Sequence, residues 1–184
     1  MSVVVALFIG LSISAEEIFK DRKIRKREEF LNLSKGAYFA SKIILLFLLS
    51  AFQVLTFVLV GNYLLEIKSL TFEMWVILFS TACFANLLGL NLSAGLDSAV
   101  AIYVMIPFLL VPQLLLSGVI VDFNKMNYSI ASYDHTPLIG DAMVSRWSYE
   151  ALAVNQYTNN SYRKHFFDQE LEKNSWGFAT YYFL

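Results

Sequence analysis

The feature that most constrains the fold is a dense run of charged residues between apolar segments. Residues 20–29 read Lys-Asp-Arg-Lys-Ile-Arg-Lys-Arg-Glu-Glu, and eight of the fourteen Lys and Arg residues of the chain lie between Lys20 and Lys42. The segments on both sides have the composition of membrane spans. By the positive-inside rule, such a loop lies in the cytoplasm and sets the orientation of every later segment. We therefore expect residues 16–42 to be cytoplasmic.

Composition supports a membrane protein. The chain is 57% hydrophobic and 16% charged, whereas roughly a quarter of the residues of a soluble domain are charged. The net charge of -1 gives no overall basic field, so we expect lipid and protein partners and no nucleic acid. Cys83 is the single cysteine and lies in an apolar run, which excludes an intramolecular disulfide and is typical of a small buried hydrophobe.

Four apolar segments predict an all-α polytopic membrane domain of about four spans within residues 1–121. The first segment, residues 1–15, would cover only about 22 Å of a hydrocarbon core roughly 30 Å thick. Its positive charge follows the apolar part instead of preceding it, which disfavours a signal peptide. We therefore expect a span cut short by truncation of a longer parent. The other three segments are residues 43–63, 74–94 and 99–121.

Residues 122–184 are more polar and predict an extracytoplasmic loop that ends before a final span. Counting sides from the basic loop places residues 65–73 outside, 95–98 inside and 122–184 outside. Apolar residues recur at helical spacing near residues 136–157. Three charged residues make this segment too polar to span a membrane, so it predicts an interfacial or re-entrant outer helix.

Several short motifs follow one another in a fixed order. Arg27-Glu28 is followed by Gly36-Ala37-Tyr38 and Ala40-Ser41-Lys42, then by Ser117-Gly118 before Val121, and finally by Tyr149-Glu150-Ala151-Leu152 and Asn155-Gln156-Tyr157. In this order the chain resembles the transmembrane domain of ATP-binding-cassette exporters of the white, or G, subfamily. The resemblance implies that family helices two to five are present and that helices one and six are absent. Gln156 departs from the pattern, because the family usually has an acid there.

The resemblance implies that the charge run forms a coupling helix, which docks on a nucleotide-binding ATPase domain. A helix of alternating charge over residues 16–29 suits this role, because complementary charges orient a polar interface and a rigid helix transmits movement. The alternative is a juxtamembrane helix whose cations bind anionic lipid, at about 1 kcal/mol each. The interleaved acids favour the protein dock. The candidate coupling residues are Arg22, Arg25, Lys26, Arg27, Glu28 and Glu29.

The resemblance also implies a translocation path at a dimer interface, lined by the first and fourth apolar segments. The candidate path residues are Phe8, Leu11, Ile106, Leu110 and Gln113, and the candidate outer gate is Val119 and Ile120. Ordinary helix packing or lipid contact remains the alternative for each. Pro107 and Pro112 predict a kink or local unwinding in the last span. Gln53 and Asn86 are expected to form hydrogen bonds between helices.

No catalytic motif is found in the sequence. A P-loop is absent, so ATP and Mg²⁺ would be bound by a partner domain and the chain would need no cofactor of its own. His135 and His165 lack a second histidine at helical spacing, and we expect no metal site. These features predict the permease half of an ATP-driven exporter of amphipathic or lipid-like substrates, which works as a homodimer in a plasma or bacterial inner membrane. The alternative is a structural or assembly protein that moves nothing, and an integral-membrane enzyme is disfavoured.

Overall fold

The computed structural model describes residues 2–28, 34–65, 70–115, 117 and 138–158. Within these ranges the chain forms helices and no strand, which confirms the all-α class. The helices are α1 (Ser2–Ser14), α2 (Glu17–Glu28), α3 (Lys35–Leu64), α4 (Thr71–Gly95), α5 (Ala99–Leu115), α6 (Leu138–Asp141) and α7 (Val144–Thr158).

Among the described residues, three stretches are long and apolar enough to cross a membrane, and a fourth apolar helix is shorter. The three are Ser2–Asp21, Gly36–Leu64 and Thr71–Gly95, and the fourth is Ala99–Leu115. The first differs from the sequence expectation of a span that stops at Ala15. After a turn at residues 15–16 the helical structure continues into α2, and its 20 residues are about 30 Å long. The polytopic membrane architecture is confirmed.

The last span and the outer helix also differ in detail from the prediction. Of the span predicted over residues 99–121, the described helix covers Ala99–Leu115, and its 17 residues run through both Pro107 and Pro112; residues 116 and 118–121 lie outside the described ranges. The predicted local unwinding is therefore wrong within Ala99–Leu115. The outer helix predicted near residues 136–157 consists of two helices, the four-residue α6 and the longer α7. Ala142 and Met143 connect them, and residues 122–137 and 159–184 lie outside the described ranges.

The centre of the bundle is a close contact between α1 and α4, made by small residues. A Cβ atom added at Gly10 would lie 2.8 Å from the Cβ of Ala85, and one added at Gly89 would overlap Ser14. Small residues at four-residue spacing face each other here, because side chains larger than these would hold the two backbones apart. They are Ala6, Gly10 and Ser14 on α1 and Ala85, Gly89 and Ser93 on α4.

Polar side chains join α3 to α4 along their length. Asn62 Nδ2 donates to Thr71 Oγ1 at 3.0 Å near the connection between the two helices. Deeper in the bundle, Trp75 Nε1 donates to the carbonyl of Ala51 at 3.1 Å. Asn86 Nδ2 donates to Ser50 Oγ at 2.7 Å, which confirms the interhelical hydrogen bond predicted for Asn86. The opposite face of α3 is apolar and exposed, as expected of a lipid-facing surface. It includes Ile44, Leu48, Phe52, Leu59 and Tyr63.

Candidate functional site

The beginning of the charged helix α2 is bound by a side chain of α4. The first N–H groups of a helix have no partner within that helix. Here the backbone N–H groups of Ile18 and Phe19 donate to Ser93 Oγ at 3.1 and 2.9 Å. Ser93 is fully buried. It takes the place of an N-cap residue, although it belongs to α4 and is 75 positions from Ile18 in the sequence.

A second connection joins α2 to the first turns of α3. Lys42 Nζ lies 2.7 Å from Glu17 Oε2 and 2.7 Å from Asp21 Oδ2. The Tyr38 hydroxyl donates to Asp21 Oδ2 at 2.9 Å. Glu17 and Asp21 are four residues apart, which places both carboxylates on one side of α2. We call these residues, with Ser93, the α2 junction: Glu17, Asp21, Tyr38, Lys42 and Ser93.

The α2 junction is partly shielded from water. The side chain of Lys42 is 20% exposed and that of Asp21 is 30% exposed, so water screens their interaction less than that of a surface ion pair. The ammonium group also lies 6.0 Å from the centre of the Tyr38 ring, at the limit of a cation–π contact. In the part of the chain that the structure describes, no three His, Cys, Asp or Glu residues are placed to hold a metal ion. The arrangement connects α2 to two apolar helices, α3 and α4.

The exposed side of α2 carries an apolar residue between two cations. Lys20, Ile24 and Arg27 are spaced four and three residues apart, so they share one side of the helix, and all three are exposed. We call these three residues the outer ridge. Lys20 forms an ion pair with Glu16, four residues before it. The outer ridge remains accessible to a partner while the α2 junction is occupied by α3 and α4.

Arg27 is the one predicted coupling residue whose side chain is described, and it is exposed. The side chains of four others lie outside the described part of the chain: Arg22, Arg25, Lys26 and Glu28. Glu29 lies outside it altogether, as do the predicted gate residues Val119 and Ile120. Their roles stay predictions.

The predicted path residues do not share one environment. Leu11, Ile106 and Leu110 lie together in the buried core of the bundle. Phe8 is 52% exposed, and Gln113 is 9% exposed. The structure thus brings three of the five residues together inside the chain, with Phe8 on its surface. Their assignment to a translocation path stays a prediction.

Gln113 joins α5 to α7 through a pair of reciprocal hydrogen bonds. Its Oε1 accepts the N–H of Ser145 at 3.3 Å, and Ser145 Oγ donates to the backbone carbonyl of Gln113 at 2.5 Å. Each residue thereby binds a backbone group at the end of the other helix, where partners within the helix are missing. The buried hydroxyls of Thr81 and Ser148 are 2.5 Å apart and join α7 to α4.

These contacts set the depth of α7. Gln113 and Thr81 each lie fourteen residues from the nearer end of the connection between α4 and α5, which is about 21 Å along either helix. The first turns of α7 therefore contact α4 and α5 at the same distance from the connection between those two helices. They lie inside the bundle, away from both ends of α4. Leu152 packs against the core as well. The choice between an interfacial and a re-entrant outer helix stays a prediction.

Sequence reasoning missed most of the α2 junction. In the sequence, Glu17 and Asp21 are two of several acids in the charge run, and Lys42 is the last cation before an apolar segment. Lys42 instead binds those two acids. The sequence contains one signal of this junction. Glu17 and Asp21 are four residues apart, and so are Tyr38 and Lys42, so each pair shares one side of its helix. For Ser93 the sequence carries none, because its partners are backbone groups of a distant helix.

A comparison with protein families identifies a match over most of the chain. A family model described as "ABC-2 type transporter" matches residues 1–157, a range that includes the whole α2 junction. No curated protein and no solved structure matches the chain.

Proposed function

The chain belongs to the ABC-2 type transporter family, and from this premise we propose that α2 couples ATP hydrolysis in a partner domain to movement of the membrane helices. Family membership makes the chain the membrane permease component of such a transporter and implies association with an ATP-binding partner. ATP and Mg²⁺ would be bound by that partner. In this proposal α2, which begins at the end of the first span, receives its movement on the cytoplasmic side.

The observation that carries the proposal is the division of α2 into a bound side and an accessible side. Ser93, Lys42 and Tyr38 hold one side. The outer ridge is exposed on another, with Ile24 between two cations. A partner with an apolar groove and an acidic rim would complement this ridge, since complementary charge orients an interface. Movement of that partner would then pass through α2 to α3 and α4.

We further propose export of amphipathic or lipid-like substrates by a homodimer of the white, or G, subfamily type. Three of the spans contain long stretches without a charged residue, namely residues 43–63, 74–94 and 99–121. Carriers driven by protons tend to place ionisable groups at membrane depth. An uncharged membrane region supports a transporter that is driven by an external ATPase and that moves greasy cargo.

The test measures coupling in the native transporter, which contains this chain and its ATP-binding partner, reconstituted in lipid vesicles. Two variants separate the roles of the two sides of α2. Reversal of the ridge charges by Lys20→Glu with Arg27→Glu should weaken engagement of the partner and lower substrate-stimulated ATPase activity. Lys42→Met should leave basal ATPase activity unchanged and lower the amount of fluorescent lipid moved per ATP hydrolysed, because α2 is loosened from α3.

A matched control is charge reversal at an exposed residue far from α2. Glu150→Lys on α7 changes the net charge by two units at an exposed position and should leave both readouts unchanged. Every variant must first elute as a folded membrane protein of native size. If both α2 variants couple normally, the proposed role of α2 is wrong. If charge reversal at the outer ridge instead makes the transporter lose its binding of anionic lipid, α2 is a lipid anchor. That result would support the alternative of a non-transporting assembly protein.

A further inference from the structure

Helix α5 is buried along one side only. Its buried residues recur at helical spacing, and they are Ile102, Ile106, Leu110 and Gln113. The first three belong to the apolar core, whereas Gln113 is the member of this stripe whose side chain can form hydrogen bonds. Residues on the other sides of α5 are exposed, among them Val100, Val104, Phe108 and Val111. Within the described chain, one narrow stripe therefore holds α5 in the bundle.

The two ends of this stripe are held in different ways. At its beginning, the short turn at residues 95–98 joins α5 to α4 through the backbone, and Ile102 N donates to Ser98 O at 3.1 Å. Gln113 lies fourteen residues after Ala99, which is about 21 Å along the helix. Each of the two prolines between these points removes a backbone hydrogen bond of the helix. The far end of α5 thus depends more on contacts with its neighbours.

That far end is bound by α7, which is in turn bound to α4. Gln113 and Ser145 form the two reciprocal hydrogen bonds described above. Ser148 lies three residues after Ser145, so the two hydroxyls share one side of α7. Ser148 Oγ is 2.5 Å from the buried hydroxyl of Thr81 on α4, and Leu152 packs against the core. α7 therefore connects α5 to α4 at a point remote from the turn that joins them.

The turn that precedes α7 is braced, which fixes the position of Ser145. Trp147 Nε1 donates to the backbone carbonyl of Asp141 at 2.7 Å. Arg146 forms an ion pair with the side chain of Asp141, and its guanidinium carbon lies 5.3 Å from the centre of the Trp147 ring. The backbone N–H of Arg146 also donates to Met143 O at 3.2 Å. Because its neighbours are held in this way, Ser145 restrains α5 from a fixed position.

We propose that Gln113 and Ser145 form a latch, which holds the far end of α5 against the bundle and opens reversibly. Hydrogen bonds between membrane helices contribute modestly to stability, so thermal motion is sufficient to break this contact. When the latch opens, the far half of α5 moves away from α4 while its beginning stays in place, and an apolar gap lined by Ile106 and Leu110 is exposed. No residue of α2 takes part, so the latch is independent of the proposed coupling role of α2.

The test measures distances between spin labels by double electron–electron resonance, with the whole transporter in lipid nanodiscs. Cys83 is first replaced by Ala, and labelled chains are diluted with unlabelled ones so that distances within one chain are read. Labels at Ser80 and Val111, which are exposed on α4 and α5, report on the far end of α5. Labels at Asn91 and Val100, which are also exposed, report on its beginning. Neither ATP nor cargo is needed, so the result does not depend on any transport assay.

Removal of both latch side chains, by Gln113→Leu with Ser145→Ala, should lengthen the distance at the far end only. The ratio of long to short distances should rise by about threefold for each hydrogen bond lost. Thr56→Ala is the control variant, because Thr56 is exposed and donates within its own helix. It should leave the distances at both ends of α5 unchanged.

A second variant tests the other half of the connection and retains the latch. Thr81→Val with Ser148→Ala frees α7 from α4, so the far-end distance should again lengthen. A label pair at Val111 and Tyr149, exposed on α5 and α7, should stay close in this variant and separate in the latch variant. Unchanged far-end distances in both variants would show that apolar packing alone holds α5. Equal lengthening at both ends would show that α5 detaches as a whole. Either result would overturn the proposal.

Discussion

At the scale of single residues, the contact between α1 and α4 depends on the absence of a side chain at Gly89. A Cβ atom there would lie 3.0 Å from Ser14 Cβ and 3.1 Å from the backbone nitrogen of Ala15. Ser14 is fully buried, and its hydroxyl donates to Gly10 O at 2.7 Å, so it has little freedom to move away. We expect Gly89→Ala to lower the free energy of unfolding by about 1–3 kcal/mol, as overpacking does, measured by denaturant titration in micelles.

Gly61 provides the matched control for that substitution. It also lies inside a membrane helix, but a Cβ atom added there meets nothing within 4 Å. Gly61→Ala should therefore be neutral or slightly stabilising, because alanine favours the helical backbone by up to about 1 kcal/mol over glycine. Equal effects of the two substitutions would show that helix propensity, and not close packing, determines the role of Gly89.

At the scale of helices, the attachment of α2 can be tested at Ser93. The Ser93→Ala substitution removes the acceptor for two N–H groups in the first turn of α2. Loss of a helix cap costs about 0.5–2 kcal/mol, so we expect faster hydrogen exchange in the first turn of α2, measured by mass spectrometry. Ser80→Ala is the control, since Ser80 is exposed on the same helix and donates to Ile77 O. Unchanged exchange in Ser93→Ala would contradict the cap.

The attachment of α7 can be measured with a double-mutant cycle. Thr81 and Ser148 join α4 to α7 through their hydroxyls. Such pairs in membrane proteins contribute about 0.6 kcal/mol on average and up to about 1.7 kcal/mol. We expect a coupling free energy in this range between Thr81→Ala and Ser148→Ala, from unfolding titrations. Thr56→Ala is exposed and bonded within its own helix, so it should show no coupling to Ser148→Ala.

The elements differ in how far the sequence predicts them. Apolar length and the charge run were sufficient for α2, α3 and α4, because these helices follow from local composition. The first span was predicted to stop at Ala15, where the charged residues begin. The structure instead has only a turn at residues 15–16, and the helical stretch continues to Asp21. The partners of Lys42, Gln113 and Ser93 were not predictable, since each contact joins helices that are distant in sequence and depends on how the bundle packs.

At the scale of the whole molecule, the basic loop predicts on which side of the membrane each connection lies. α3 and α4 pack in opposite directions, because Asn62 binds Thr71 while Ser50 binds Asn86. Residues next to the charged helix and in the turn between α4 and α5 should thus share one side, with the α3–α4 connection on the other. The natural Cys83 is half-buried in α4 and is first replaced by Ala. Single cysteines are then placed at Arg27, Ser98 and Leu65, which are exposed.

A membrane-impermeant maleimide applied to oriented vesicles reads out this arrangement. We expect Arg27→Cys and Ser98→Cys to be labelled only from the cytoplasmic face, because positive loops stay on that side, and Leu65→Cys only from the opposite face. Labelling of all three in detergent controls for reactivity. If Arg27→Cys and Leu65→Cys react from the same face, α3 does not cross the membrane. If the whole pattern is inverted, the charge run lies outside the cell and α2 cannot receive movement from a cytoplasmic ATPase.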